Sequence, residues 1–103
     1  MKLLTTKAEV LASVVDHSQT LRGYGVSRLG VFGSFQRGEV NDQSDVDLLV
    51  VFSSGQKTFQ NFINLCFFLE DLLGRRVDLI TPESLSPYFG EKILAEVEYV
   101  PLP

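Results

Sequence analysis

The chain holds one cysteine, one histidine and no tryptophan in 103 residues. Cys66 and His17 alone are too few for a zinc site. Cys66 lies in the apolar run Leu65-Cys66-Phe67-Phe68, where a thiol behaves as a small core residue rather than a nucleophile. A lone, unpaired thiol suits a reducing cytoplasm. No run of about 18 apolar residues is present, so no membrane span is expected. The opening Met1-Lys2-Leu3-Leu4-Thr5-Thr6-Lys7 turns polar too soon for a signal peptide. Basic charge is also scarce: nine Lys and Arg stand against thirteen Asp and Glu, for a net charge of −4. The only adjacent basic pair is Arg75-Arg76. Such a balance argues against direct nucleic-acid binding, which relies on neutralising phosphates. It leaves room for a small anion reached through bound metal. Hydrophobic residues make up 45%, enough for a core, and the length fits one domain over residues 1–103.

What the chain does have is one polar stretch between two apolar runs. Gly33-Ser34-Phe35-Gln36-Arg37-Gly38 follows the run that ends at Phe32, and Ser44-Asp45-Val46-Asp47 opens the next. Strand side chains alternate faces, so Asp45 and Asp47 project from the same one. Two carboxylates that close repel, and the pair is stable if one takes a proton or a cation sits between them. Magnesium accepts such oxygen ligands, with substrate phosphates and water completing its shell. A Gly-Ser turn supplies amides and a hydroxyl of the kind that cradles phosphate. Either half alone is more often structural: Asp-x-Asp as a solvated turn, Gly-Ser as an ordinary bend. Their combination points to chemistry.

The remaining chain supplies the frame. Apolar spacing predicts a helix over 7–21, started by a capping box of Thr6 and Glu9 and stopped by Gly23-Tyr24-Gly25. His17, near its end, reads as a surface or capping residue. Strands are expected over 26–32, 45–52 and 77–80, with a short helical turn after Gly33. A helix over 56–73 carries ten apolar side chains, too many for one stripe. Such a helix is either buried on most sides or exposed at an interface, which includes self-association. Thr81-Pro82 and Ser86-Pro87 mark two helix starts. A helix over 88–96 and a short edge strand over 97–100 complete the chain.

The second strand, its helix and the third strand form a unit that requires parallel pairing. Parallel starts share one sheet edge, so Asp78 arrives beside Asp45 and Asp47. Gly33-Ser34 reaches that edge if the first strand runs antiparallel to the second. The expected fold is therefore α/β: a small mixed sheet in the order 1-2-3, strand 1 antiparallel, with helices on both sides. Three convergent carboxylates beside a phosphate-cradling turn suit two-metal phosphoryl or nucleotidyl transfer, with ions roughly 3.5–4 Å apart. Asp78 is the candidate base; alone it would read as a solvated strand-end residue.

Gly33-Ser34-Phe35-x-Arg37-Gly38, Ser44-Asp45-Val46-Asp47-Leu48-Leu49-Val50 and Val77-Asp78-Leu79 resemble the minimal nucleotidyltransferases of the DNA polymerase β superfamily. The resemblance covers about residues 26–80. Gln36 departs from it, standing where a small residue is common. It implies a nucleotidyltransferase fold, catalytic and metal-binding roles for Asp45, Asp47 and Asp78, and nucleotide binding by Gly33, Ser34 and Arg37. It also implies magnesium and a nucleoside triphosphate donor, usually ATP. Short chains of this kind resemble MntA-type antitoxins, which adenylylate a tyrosine of a HEPN-domain ribonuclease toxin. Two classes of function stay open. One is an active transferase on a protein or a small molecule; the other is a module that silences its partner by contact. The complete set of acids favours the first.

Overall fold

A computed structural model of the chain describes residues 4–102. Of the opening stretch, Met1, Lys2 and Leu3 lie outside the described residues, as does Pro103. Helix α1 (Lys7–Asp16) starts as expected: the Thr6 hydroxyl accepts the Glu9 amide at 3.1 Å, and the Glu9 carboxylate accepts the Thr5 amide at 3.0 Å. The predicted single helix then breaks. His17, at φ −115° and ψ 25°, ends α1 and opens α2 (Ser18–Gly23). Its Nδ1 lies 2.8 Å from the Ser13 carbonyl, and its ring meets Phe68 edge-on at 6.0 Å. The break keeps the phase of the apolar positions, so Leu21 joins Val10 and Val14 in one core.

Strand β1 (Val26–Phe32) leads directly into the short helix α3 (Gly33–Arg37). Strand β2 (Val46–Phe52) follows, beginning one residue later than expected and leaving Asp45 in the loop. Helix α4 (Phe59–Leu73) also starts late, because Thr58 is its cap: its hydroxyl accepts the Asn61 amide at 3.1 Å. The residues before it form a turn tied by the Ser53 and Gln56 amides to the Gly25 and Ser53 carbonyls. Gly74, at φ 68°, ends α4 in the left-handed region that favours glycine. Strand β3 (Val77–Ile80), a 3-10 turn (Pro82–Ser84), helix α5 (Pro87–Glu96) and strand β4 (Glu98–Tyr99) complete the chain.

The sheet order is β3-β2-β1-β4, with β2 parallel to β3 and β1 antiparallel to both β2 and β4. The expected order of the first three strands is thus present, and β4 adds a fourth beyond β1. Leu29 pairs with Val50, Val31 with Leu48, and Leu48 with Leu79. These residues form one face, packed with Val10, Val14 and Leu21 from α1 and α2 and with Leu65, Leu69 and Leu73 from α4. The opposite face carries Gly30, Phe32, Asp47, Leu49 and Asp78. A Cβ at Gly30 would lie 2.5 Å from Cγ2 of Val97, so the link from α5 to β4 crosses this face. Leu49, the cross-strand partner of Gly30, is fully buried.

Only part of the wide apolar set on α4 is core. Leu65, Leu69 and Leu73 are buried, whereas Phe59 is 80% and Phe67 64% exposed. Urea unfolding will separate the two groups. Leu69→Ala is expected to lose about 2–5 kcal/mol of stability, while Phe67→Glu should stay within about 0.5 kcal/mol of the parent.

Candidate active site

The parallel register sets Asp47 directly beside Asp78, as Val46 pairs with Val77 and Leu48 with Leu79 on either side. Asp45 lies one residue outside the strand, exposed, with its carboxylate 3.9 Å from Nε of Arg76. Asp47 is half-buried and Asp78 exposed. Burial is the main cause that raises the Asp47 carboxyl from its ordinary 3.8 to about 6. The charges of Asp78 and then Asp45 push the same way, Arg37 opposes them, and Glu96 adds to the rise. All three sequence-predicted acids therefore act on one edge of the sheet. Among the described residues, no three His, Cys, Asp or Glu side chains are gathered into a group that could hold a metal ion by themselves. An open edge of carboxylates suits magnesium, which keeps positions for phosphate oxygens and water.

The Gly33 turn abuts this edge. Gly33 has φ 72°, and a Cβ there would lie 1.9 Å from Oδ2 of Asp47. Sequence reasoning assigned this glycine to close approach of phosphate. The structure shows that the space a side chain would take is filled by the Asp47 carboxylate. Helix α3 begins on Phe32 without a side-chain cap, and Ser34 is half-buried in its first turn. The guanidinium of Arg37 is held by two carboxylates, with Nε donating to Glu39 and Nη1 to Glu96 at 2.7 Å. Both hydrogen bonds hold its pKa above the ordinary value.

Glu96 was missed by sequence reasoning. It lies at the last position of α5, and only the return of the chain into β4 brings it to Arg37, 59 residues away. Cys66 is half-buried, and burial, with Glu70 and Asp78 nearby, pushes its thiol up. It has no nucleophilic character.

A mixed sheet with a Gly-Ser turn and carboxylates at one edge defines the nucleotidyltransferase class. A family model described as a nucleotidyltransferase domain matches residues 13–100, and the chain belongs to that family. The protein adenylyltransferase MntA of Thermococcus cleftensis is 43% identical over 101 residues, covering 97% of this chain and 100% of that protein. A solved structure described as a minimal nucleotidyltransferase is 36% identical, with a TM-score of 0.69 over 85% of this chain and 93% of that one. In a structure of the tri-AMPylated Shewanella oneidensis HEPN toxin with its MNT antitoxin, one chain shares the fold. Its TM-score is 0.65 over 95% of this chain and 74% of that one, at 16% identity. The protein is thus an enzyme of nucleotidyl transfer. Among the described residues no helix is long and apolar enough to cross a membrane.

The burial of Asp47 beside like charges has a measurable cost. The folded protein holds the Asp47 proton more tightly than the unfolded chain does. Asp47 therefore opposes folding as pH rises through about 6, and the cost fades as pH falls toward the ordinary carboxyl value. Calorimetry in EDTA at about pH 7.5 should find Asp47→Asn melting higher than the parent, with the gap closing toward about pH 4. The same variant should be inactive.

Proposed function

We propose that the protein is a magnesium-dependent adenylyltransferase that moves AMP from ATP to a tyrosine hydroxyl of a HEPN-type toxin, and so acts as its antitoxin. The observation that carries this reading is the register placing Asp47 beside Asp78, with the Asp47 carboxylate against the Gly33 turn. The resemblance to a named protein adenylyltransferase supports the donor and the class of acceptor. The toxin complex that shares the fold supports the partner. A cytoplasmic location is part of the proposal, since the donor is ATP and the single thiol is unpaired.

The carboxylates at this edge have the chemistry of magnesium ligands, and two ions with their nucleotide are part of the proposal. Asp47 and Asp78 would hold them together with Asp45, once Asp45 turns from Arg76. Burial is the main cause that raises the Asp47 carboxyl; the charges of Asp78 and Asp45 add to it, and that added part is what a cation would relieve. When bound, magnesium would neutralise triphosphate charge and lower the pKa of the acceptor hydroxyl. The uncapped first turn of α3 offers its amides, and Ser34 its hydroxyl, to the phosphates. Arg37 reaches the nucleotide by leaving Glu39 and Glu96.

The acceptor oxygen forms a bond to the α-phosphorus of ATP, and the bond to the bridging oxygen breaks. Pyrophosphate leaves with that electron pair, and the hydroxyl proton passes to the Asp78 carboxylate. A tyrosine hydroxyl has an unperturbed pKa near 10, so at neutral pH it needs such an acceptor. The AMP added brings charge and bulk to the toxin surface, which would block RNA by repulsion and by volume.

Co-expression with the HEPN partner, followed by intact-mass measurement, tests this. The partner should gain AMP with the parent enzyme and none with Asp47→Asn. A silenced partner that carries no AMP in the presence of ATP and magnesium would replace catalysis with inhibition by contact.

A further inference from the structure

Arg75 lies outside the catalytic edge yet contacts the loop that leads into Asp45 and the helix that begins at Gly33. It is only 7% exposed. Its Nε donates to the Leu4 carbonyl at 2.5 Å, and its Nη1 donates to the carbonyls of Asn41 at 3.0 Å and Ser44 at 2.8 Å. Its guanidinium carbon stands 5.1 Å from the ring centre of Phe35, the buried aromatic residue of α3. All these hydrogen bonds end on main-chain carbonyls, so among the described residues the buried charge is met by dipoles and a ring face, not by a carboxylate. Nη2 is buried with no partner among the described residues. A buried, incompletely satisfied guanidinium is a poor device for stability alone.

We propose that Arg75 is a positioning residue for nucleotidyl transfer, fixing the loop before Asp45 and the Gly33–Arg37 helix in one arrangement with β3. This rests on the reading of Asp45, Asp47 and Asp78 as the metal-nucleotide site. Loop 41–44 folds on itself: the Ser44 hydroxyl accepts the Asn41 amide at 2.9 Å, and Oδ1 of Asn41 accepts the Gln43 amide at 2.8 Å. Those bonds shape the loop, and Arg75 docks it through two of its carbonyls. Asp45 follows Ser44 directly, so the Ser44 carbonyl sets where Asp45 begins. On the other side, the carbonyl of Arg76 accepts the Val46 amide at 2.9 Å, joining the start of β2 to the residue after Arg75. Asp78 lies three residues beyond Arg75 on β3. The stack on Phe35 extends the same junction to the turn that carries Gly33 and Ser34. A planar fork of donors holds several carbonyls at fixed angles, which the single ammonium of lysine cannot do.

The test compares the parent with Arg75→Lys, which keeps the charge, and Arg75→Met, which keeps much of the volume and removes the buried charge. Two readouts are taken on the folded proteins: binding of manganese with a non-hydrolysable ATP analogue, and hydrogen exchange at residues 41–46. Loss of an outer contact to a metal site typically weakens it about 10–100-fold. Both variants should weaken manganese–nucleotide binding about tenfold or more and speed exchange in the loop, while β1 amides keep their protection. Manganese–nucleotide binding equal to the parent in either folded variant would overturn the proposal. So would a loss that tracks only the unfolded fraction. A parent protein that binds no manganese–nucleotide would instead refute the site reading itself, and the proposal with it.

Discussion

Asp47 and Asp78 lie side by side because β2 and β3 are parallel and in register, and that pairing sets two like charges together at one edge of the sheet. Parallel pairing requires a crossover, which α4 supplies, and α4 in turn brings Leu65, Leu69 and Leu73 onto the apolar face. One face of the sheet therefore spends its side chains on the core, and the other leaves room for charge. Alternation along β2 divides the two: Val46, Leu48 and Val50 point to the helices, and Asp47 points away. The raised Asp47 carboxyl records first its burial and then the charges of Asp78 and Asp45 beside it.

Local geometry keeps that charge close to the turn. Gly33 is required at its position because the space of a Cβ is taken by the Asp47 carboxylate, and because φ 72° suits no ordinary side chain. Arg37 is the nearest compensation, yet it is shared with Glu39 and Glu96. The site is thus acidic, with the guanidinium of Arg37 already engaged and that of Arg76 3.9 Å from the Asp45 carboxylate. Under the proposed function, that condition would favour entry of a cation together with its triphosphate over a triphosphate alone.

Much of this frame was legible in the sequence. The strands over 26–32 and 77–80 match residue for residue, since each is a short segment with apolar residues bounded by turn formers, Gly25 and Gly33 in one case and Gly74 and Pro82 in the other. The parallel unit and the shared edge follow from element order. The break at His17 was invisible because Val10, Val14 and Leu21 keep a helical phase across it. The start of α4 was misplaced because Thr58 competes as a cap with the turn before it. Glu96 and Arg75 could not be found at all. Their partners lie 59 residues away in one case and 31 to 71 in the other, and no local pattern signals a contact that only the tertiary fold creates.

The central claim is that Asp47 and Asp78 together bind the metal of a metal-nucleotide complex. Electron paramagnetic resonance of manganese, titrated with a non-hydrolysable ATP analogue, reads that binding without relying on any acceptor. The account predicts a bound manganese signal in the parent that requires the nucleotide and is lost in both Asp47→Asn and Asp78→Asn. An undiminished signal in either variant would contradict it.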